Sequence, residues 1–303
     1  MPFNPEACGA LCARCALRDL RHGAPVRPEA SKRGPAELVI VGDVPAKEDV
    51  DANRNFLGQT GTELDKALKS VQFDRSRAHL TQAVLCRPPG SDLSKMRLRV
   101  KAKIKASEGR LLDPVAACRP RLLAELARVD AGILTLGGSA LEAVLGRREA
   151  ILVVRGGART ESIADDVERK IMPTLHPGFV LKNRRWMKTL RIDFQKAADW
   201  FRGVPAWVDP VVNRTPTVAE IRRFLSRKER FFAYDVETDA KEPTLARLRC
   251  IGIGTADAVL VIPILSVDGI SRFYTPEEER EIRRLLIAFF TDPRIKKVGH
   301  NAG

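Results

Sequence analysis

The 303-residue chain reads as α/β: a three-layer α/β/α domain around a parallel sheet, followed by a second, smaller α/β segment. Three observations predict this. Short, wholly apolar runs such as residues 38–41 suit strands covered on both faces. They alternate with stretches of helical periodicity, as in strand–helix–strand units. A proline-rich stretch at 204–216 then divides the alternation in two.

Rich in Pro, Gly and Arg, the first 36 residues read as an irregular entry. The strand at 38–41 ends in a Gly42-Asp43-Val44-Pro45 turn, after which Leu64, Ala67, Leu68 and Val71 recur at helical spacing. A strand near 79–85, where His79 is taken as structural, leads to a helix over 120–128, a strand at 133–136 and a helix over 140–145. Strands near 151–154 and 171–175 and a closing helix over 184–201 complete a first domain of residues 1–203. Past the linker at 204–216, Thr217-Val218-Ala219-Glu220 is a capping box that opens a second domain over 217–303. Strands are predicted at 231–237, 249–255 and 258–264, then a helix from Thr275 with Pro276 at its first position, then a strand-like segment from Lys297. Three strands, a helix and a fourth strand make half of a ribonuclease-H-like sheet, so the chain is read as a fragment of a longer protein.

A formal charge of +14 favours a polyanionic partner, nucleic acid first and a membrane surface second. No apolar run reaches the length of a membrane span and no signal peptide opens the chain, so a cytoplasmic monomer with reduced thiols is expected. With aromatics at 6%, a broad base-stacking platform is not expected. Under reducing conditions the cysteines read as metal ligands. Cys12 and Cys15 form a CxxC pair, and Cys86 and Cys118 complete a soft four-thiolate set suited to zinc or an iron–sulfur cluster. Cys8 reads as incidental and Cys250 as part of a core strand. Between the last two ligands, residues 95–105 alternate cations with apolar residues. That pattern predicts a strand with one basic face, on which Arg97, Arg99, Lys101, Lys103 and Lys105 would follow a phosphate backbone. Asp235 and Glu237, two apart on an apolar strand, share a face on which carboxylates can hold divalent metal.

Phe56-Leu57-Gly58-Gln59-Thr60-Gly61 and His176-Pro177-Gly178-Phe179-Val180-Leu181 join the cysteines and the Gly42 turn in one ordered set. From about Cys12 to Trp200 the chain thereby resembles the iron–sulfur (family 4) uracil-DNA glycosylases. The resemblance implies a uracil-DNA-glycosylase-like fold, a [4Fe–4S] cluster on Cys12, Cys15, Cys86 and Cys118, and hydrolytic excision of uracil from single- or double-stranded DNA. It implies that Asp43 positions the attacking water and stabilises positive charge on the sugar, and that His176 donates to the departing base. Gly42 with its neighbours would line the base pocket, Phe56 would stack on the base, and the Gln82 amide would read its edge. Three positions depart from the family pattern: Asp43 stands where Glu is usual, Gln82 where Asn is usual, and Ala46 where Gly is usual. These departures motivate an alternative, a glycosylase-fold module of weak or no activity that binds or senses template. The insertion before Cys118 carries no histidine, which sets aside the covalent mechanism of one glycosylase branch. Asp235-x-Glu237 and His300-Asn301 resemble the first two motifs of proofreading 3′–5′ exonucleases. That likeness implies a covalently linked family A polymerase downstream and Mg or Mn in the full-length protein. The segment itself is expected to be inactive, because further carboxylates are missing.

Overall fold

The structure, a computed structural model, describes residues 3–163, 167–204, 208–240 and 246–299. It divides into two units, Met1–Ala206 and Trp207–Gly303. The first contains β1 (Leu38–Gly42), α1 (Lys47–Ala52), α2 (Gly58–Ser70), β2 (Ala78–Gln82), α3 (Leu93–Ala106), α4 (Pro114–Leu126) and β3 (Gly132–Leu136). It continues with α5 (Gly138–Leu145), α6 (Ile151–Val154), β4 (Arg159–Ser162), β5 (Glu168–Thr174), α7 (Pro177–Lys182) and α8 (Met187–Phe201).

The sheet order is β2-β1-β3-β5-β4. The first four strands are parallel, whereas β4 runs antiparallel to β5. The sheet is therefore mixed rather than wholly parallel. Only residues 163–167 join β4 to β5, far short of the dozen or so that a parallel crossover needs. Alternate strand residues feed two cores. Val39, Val41, Ile133 and Ile171 pack with α3, α4 and α5, while Ile40, Leu134, Leu136 and Met172 pack with α2, α7 and α8.

Two predicted strands are helices. Residues 151–154 form the short α6, since four successive apolar residues carry no period of their own. The basic segment forms α3, because the residues that are buried decide its period. Met96, Val100 and Ile104 lie four apart and pack inward, whereas Leu98, on the same alternation, is 73% exposed. Asp92 caps this helix by accepting from the Lys95 N–H.

The N-terminal segment has little regular structure and is laced to its neighbours instead. Leu11 N–H donates to Ala117 O, Ala16 N–H to Leu112 O, Val26 N–H to Leu85 O and Glu29 N–H to Leu80 O, at 2.8–3.1 Å. Leu17 and Val26 are fully buried, each worth about 1.5–3 kcal/mol. This lacing carries Cys12 and Cys15 to the start of α4 and the end of β2.

The second unit contains β6 (Val211–Asn213), α9 (Val218–Leu225), β7 (Phe232–Thr238), β8 (Leu248–Gly254), β9 (Ala258–Pro263), α10 (Pro276–Thr291) and β10 (Lys297–Gly299). Its sheet order is β10-β7-β8-β9-β6, with β7-β8-β9 an antiparallel meander and β10 and β6 parallel to their neighbours. β6 falls inside the stretch read as linker, so that stretch is partly sheet. Both capping boxes, Thr217 with Glu220 and Thr275 with Glu278, close as their sequences predict.

Candidate active site

In the first unit the chain leaves β1 for β2 on one side and later returns to β3 on the other. Ligands in open α/β sheets bind at the carboxyl ends of strands, at such a reversal. A cleft of about 620 Å³ opens there, lined by Asp43, Phe56, Gln82, Ser139 and His176 among others. The catalytic and base-binding residues predicted from sequence therefore arrive together, from the ends of β1, β2 and β5 and from the loop before α2.

Asp43 ends β1 and reaches across to the first turn of α5. Its Oδ1 accepts from the Ala140 N–H at 2.8 Å, and the Ser139 N–H also donates to the carboxylate. Gly137, at φ 102°, lets the carboxylate in, since a Cβ there would stand 2.4 Å from Oδ2. Burial pushes the Asp43 carboxyl above its usual range, and the neighbouring His176 and the two N–H donors counter this only in part.

His176 precedes α7 and caps it, its Nδ1 accepting from the Gly178 N–H at 3.1 Å. With Nδ1 an acceptor, a neutral ring carries its proton on Nε2. Burial holds the imidazole below its ordinary pKa, against the raising influence of Asp43 and Asp49, so the neutral ring is the form at physiological pH.

Phe56 and Gln82 close over Gly42. A Cβ at Gly42 would stand 2.2 Å from Gln82 Oε1 and 2.7 Å from Phe56 Cε1, so only glycine allows this approach. Phe56 is 1% exposed and has φ 54°, a conformation that costs a non-glycine residue on the order of 1–3 kcal/mol. Arg75 holds the strained turn, donating to the carbonyls of Asn55 at 2.6 Å and Phe56 at 3.1 Å. Gln82 Oε1 is buried and has no hydrogen-bond partner among the described residues. An orphaned buried acceptor at a cleft wall is ready for a ligand donor.

Residues that sequence reasoning passed over build the frame. Asp49, buried, accepts from Ala46 N–H at 2.9 Å and Leu57 N–H at 2.7 Å, tying the turn after β1 to the Phe56 loop. Its position three residues after Ala46 was the one signal for it. Arg121 had no sequence signal. It is 1% exposed and donates to Gln82 O at 2.7 Å, to Thr81 Oγ1 at 3.0 Å and to Glu125 at 2.6 Å. Glu125 also holds His79, which is thus structural as expected.

Cys12, Cys15, Cys86 and Cys118 line one small recess together with Arg18 and Arg21. Among the described residues no three Cys, His, Asp or Glu side chains stand close enough to hold a single metal ion. Four soft thiol donors on one recess are the ligand type that zinc or an iron–sulfur cluster takes, and the two arginines suit the negative charge of such a thiolate site. Burial, with repulsion from neighbouring thiols, raises Cys12, Cys15 (to about 12) and Cys86 (to about 11), with Arg21 opposing at Cys86. Cys8 is exposed, outside this set, and Cys250 lies on β8.

The predicted basic strand changes. As a helix, α3 splits its cations into two ridges instead of presenting one basic face. Arg97 is not available to DNA, because its guanidinium is engaged with Asp113 at 2.8 Å and bidentately with Glu142 at 2.7 and 2.8 Å. Arg99, Lys101, Lys103 and Lys105 stay exposed. Asp235 and Glu237 lie exposed on β7, and His300 and Asn301 fall outside the described residues. No described helix is long and apolar enough to cross a membrane.

Residues 31–202 match the family model described as Uracil DNA glycosylase superfamily. A Type-4 uracil-DNA glycosylase of Pyrobaculum aerophilum is 29% identical over 202 residues, covering 66% of this chain and 93% of that protein. Proteins of the same description match from Thermotoga maritima, at 28% over 149 residues (48% of this chain, 67% of that one), and from Sulfurisphaera tokodaii, at 27% over 191 residues (61% and 78%).

Proposed function

The chain belongs to the uracil DNA glycosylase superfamily, and we propose that it is an iron–sulfur, type-4 enzyme that removes uracil from DNA. The observation that carries this reading is the Gln82 amide oxygen, buried and without a hydrogen-bond partner among the described residues, on a side chain that lines one cleft with Asp43, Phe56 and His176. Uracil offers an N3–H to such an acceptor, and its ring fits against Phe56 once the nucleotide is extruded from the stack. As the bond from N1 to C1′ breaks, its electron pair leaves with the base, and His176 Nε2–H stabilises the developing negative charge. The Asp43 carboxylate faces the positive sugar, orients the water whose oxygen bonds to C1′ and takes up the proton that this water gives up. Oligonucleotides carrying one uracil, incubated with the chain and then treated with alkali, break at that position. Unbroken strands from folded protein with its cluster intact contradict the reading.

The type-4 relatives and the four-thiol recess support a [4Fe–4S] cluster on Cys12, Cys15, Cys86 and Cys118. The cluster contributes no step of the reaction; it ties the N-terminal segment to β2 and α4. Cys86→Ala is expected to lose iron, sulfide and brown colour and to lower the melting temperature; bound zinc without iron in the parent protein contradicts the assignment. Ligands of this kind fit a reducing, cytoplasmic setting.

A second reading has a specific observation behind it. The Asp43 carboxylate already accepts from the α5 N-terminus, and a side chain one methylene shorter than Glu has less reach towards a sugar in the cleft. On that reading the unit is a DNA-binding or uracil-sensing module, with affinity that falls steeply with salt and no abasic product. The second unit supports a proofreading-exonuclease likeness, with Asp235 and Glu237 as the first metal-binding carboxylates of a polymerase-linked domain. Its β9-β8-β7-β10 order, with β10 parallel to β7, agrees with a ribonuclease-H-like sheet.

A further inference from the structure

Beside the cleft lies a second recess of about 310 Å³, lined by Lys95, Arg99 and Lys182 with Asp92, Gly90 and Met96 among its walls. Gly90, Asp92 and Lys182 also line the cleft, so the two spaces adjoin. Lys95 and Arg99 are four apart on α3 and stand on one ridge of it. Lys182 arrives from the other side, at the end of the helix that His176 caps. All three are exposed, and among the described residues none forms an ion pair with a carboxylate. The one carboxylate in the recess, Asp92, is occupied as the N-cap of α3. Arg97, on the opposite ridge, is by contrast neutralised by Asp113 and Glu142, which anchor α3 against α4 and α5. The anchored helix thus holds two cations without an ion-pair partner at a fixed place beside the cleft, and a third faces them across a recess in which three positive charges outnumber the one carboxylate, Asp92.

We infer that Lys95, Arg99 and Lys182 form a phosphate-binding subsite, which grips a phosphodiester of the DNA strand next to the nucleotide held in the cleft. The inference rests on the reading of the cleft as a DNA-glycosylase site and specifies how the strand is registered against it. Phosphates fix register while base contacts specify sequence, so the subsite sets which nucleotide is presented to Gln82 and Phe56. Of the remaining cations of the basic segment, Lys101 and Lys105 share the Arg97 ridge and take no part, and Lys103, one turn beyond Arg99, does not line the recess.

Binding is read directly, without catalysis, by anisotropy of labelled single-stranded oligonucleotides over a salt series. Lys95→Gln/Arg99→Gln and Lys182→Gln are each expected to flatten the slope of log affinity against log salt, by about 0.7 for every phosphate no longer neutralised. Lys101→Gln/Lys105→Gln is expected to leave it nearly unchanged. Replacing one phosphate at a time by neutral methylphosphonate, on either side of the uracil, should reveal one position where the parent protein loses affinity and Lys95→Gln/Arg99→Gln does not. Equal salt slopes for the two double variants, or a methylphosphonate penalty that persists in Lys95→Gln/Arg99→Gln, overturns the subsite and leaves the glycosylase reading standing. A parent protein that binds no oligonucleotide overturns both.

Discussion

Asp43 in the first unit and Asp235 with Glu237 in the second all sit on or just after an apolar strand, yet their surroundings differ. Asp43 meets the first turn of a helix, a neutral histidine, a buried amide and a strained phenylalanine, all at the carboxyl ends of parallel strands. Asp235 and Glu237 lie exposed to solvent on an antiparallel meander. The first arrangement costs stability: a carboxyl held above its usual range by burial, an orphaned amide and a non-glycine residue at positive φ. Such features persist where surrounding structure over-determines them, and they mark working sites. The second costs nothing, and among the described residues no further Cys, His, Asp or Glu joins the pair in a metal-holding group.

The largest expected effect comes from Asp43→Asn. The rate of uracil release should fall by roughly 10²–10⁴, the usual contribution of a positioned acid–base group, while the protein gains stability at neutral pH. The folded pKa of Asp43 is raised, so the folded state binds the proton more tightly than the unfolded chain does. The stability that proton brings is complete below about 3.8 and is lost as pH rises through the folded value. Asn, a neutral isostere, escapes that loss. Thermal melts of parent and variant should therefore differ at pH 7 and converge towards pH 3, and a variant less stable at pH 7 would show that the carboxylate is there chiefly as a helix cap.

His176→Ala ranks next, with a fall of roughly 10²–10³ in rate, the scale for one lost oxyanion donor, and DNA affinity nearly unchanged. Because the imidazole is held below 6.5, His176 should keep its neutral form from that pH upward. Activity should fail only on the acid side, where His176 gains a proton and Asp43, titrating above 3.8, loses its charge. A stability loss should accompany this as pH drops from 6.5 through the lower folded value of His176. A rate that climbs through about pH 6.5–7.5 in the parent, and does not in His176→Ala, would mean that an imidazole with an ordinary pKa controls it.

Arg121→Met probes the frame. It leaves Glu125 and the carbonyl of Gln82 without their buried partner, and breaking such a pair costs about 3–5 kcal/mol, read from urea denaturation. At the other extreme, Asp235→Asn/Glu237→Gln should move stability by no more than about 0.5 kcal/mol, as exposed substitutions do. A larger loss would place those carboxylates in a contact that the first unit's logic, not the second's, describes.

Much of this contrast was legible in the sequence. The apolar run before Gly42, the helical spacing of Leu64 to Val71 and the capping boxes at Thr217 and Thr275 each follow from local physics, and the elements formed there. Asp43, Phe56, Gln82 and His176 could be named because they stand in ordered motifs, and the topology then brought them to one cleft. The basic segment could not be read by alternation alone. Its cations fit a two-residue period, but burial of Met96, Val100 and Ile104 chose a helix, and that choice both neutralised Arg97 and aimed Lys95 and Arg99 beside the cleft. Arg121 was invisible for a different reason: a buried arginine is defined by partners on β2 and by Glu125, of which only the last is near it in sequence. β4 and β6 were hidden because short edge strands carry few residues to show a period.

The central claim, that the cleft at the end of β1 and not the carboxylates of β7 carries the chain's chemistry, is tested most directly by single-turnover release of free uracil from single-stranded DNA. Three proteins suffice: the parent chain, Asp43→Asn, and Asp235→Asn/Glu237→Gln. The account predicts release by the parent and equally by the β7 variant, with Asp43→Asn slower by roughly a hundredfold or more. Release that survives Asp43→Asn at the parent rate, or that is absent from the folded parent chain, would contradict it.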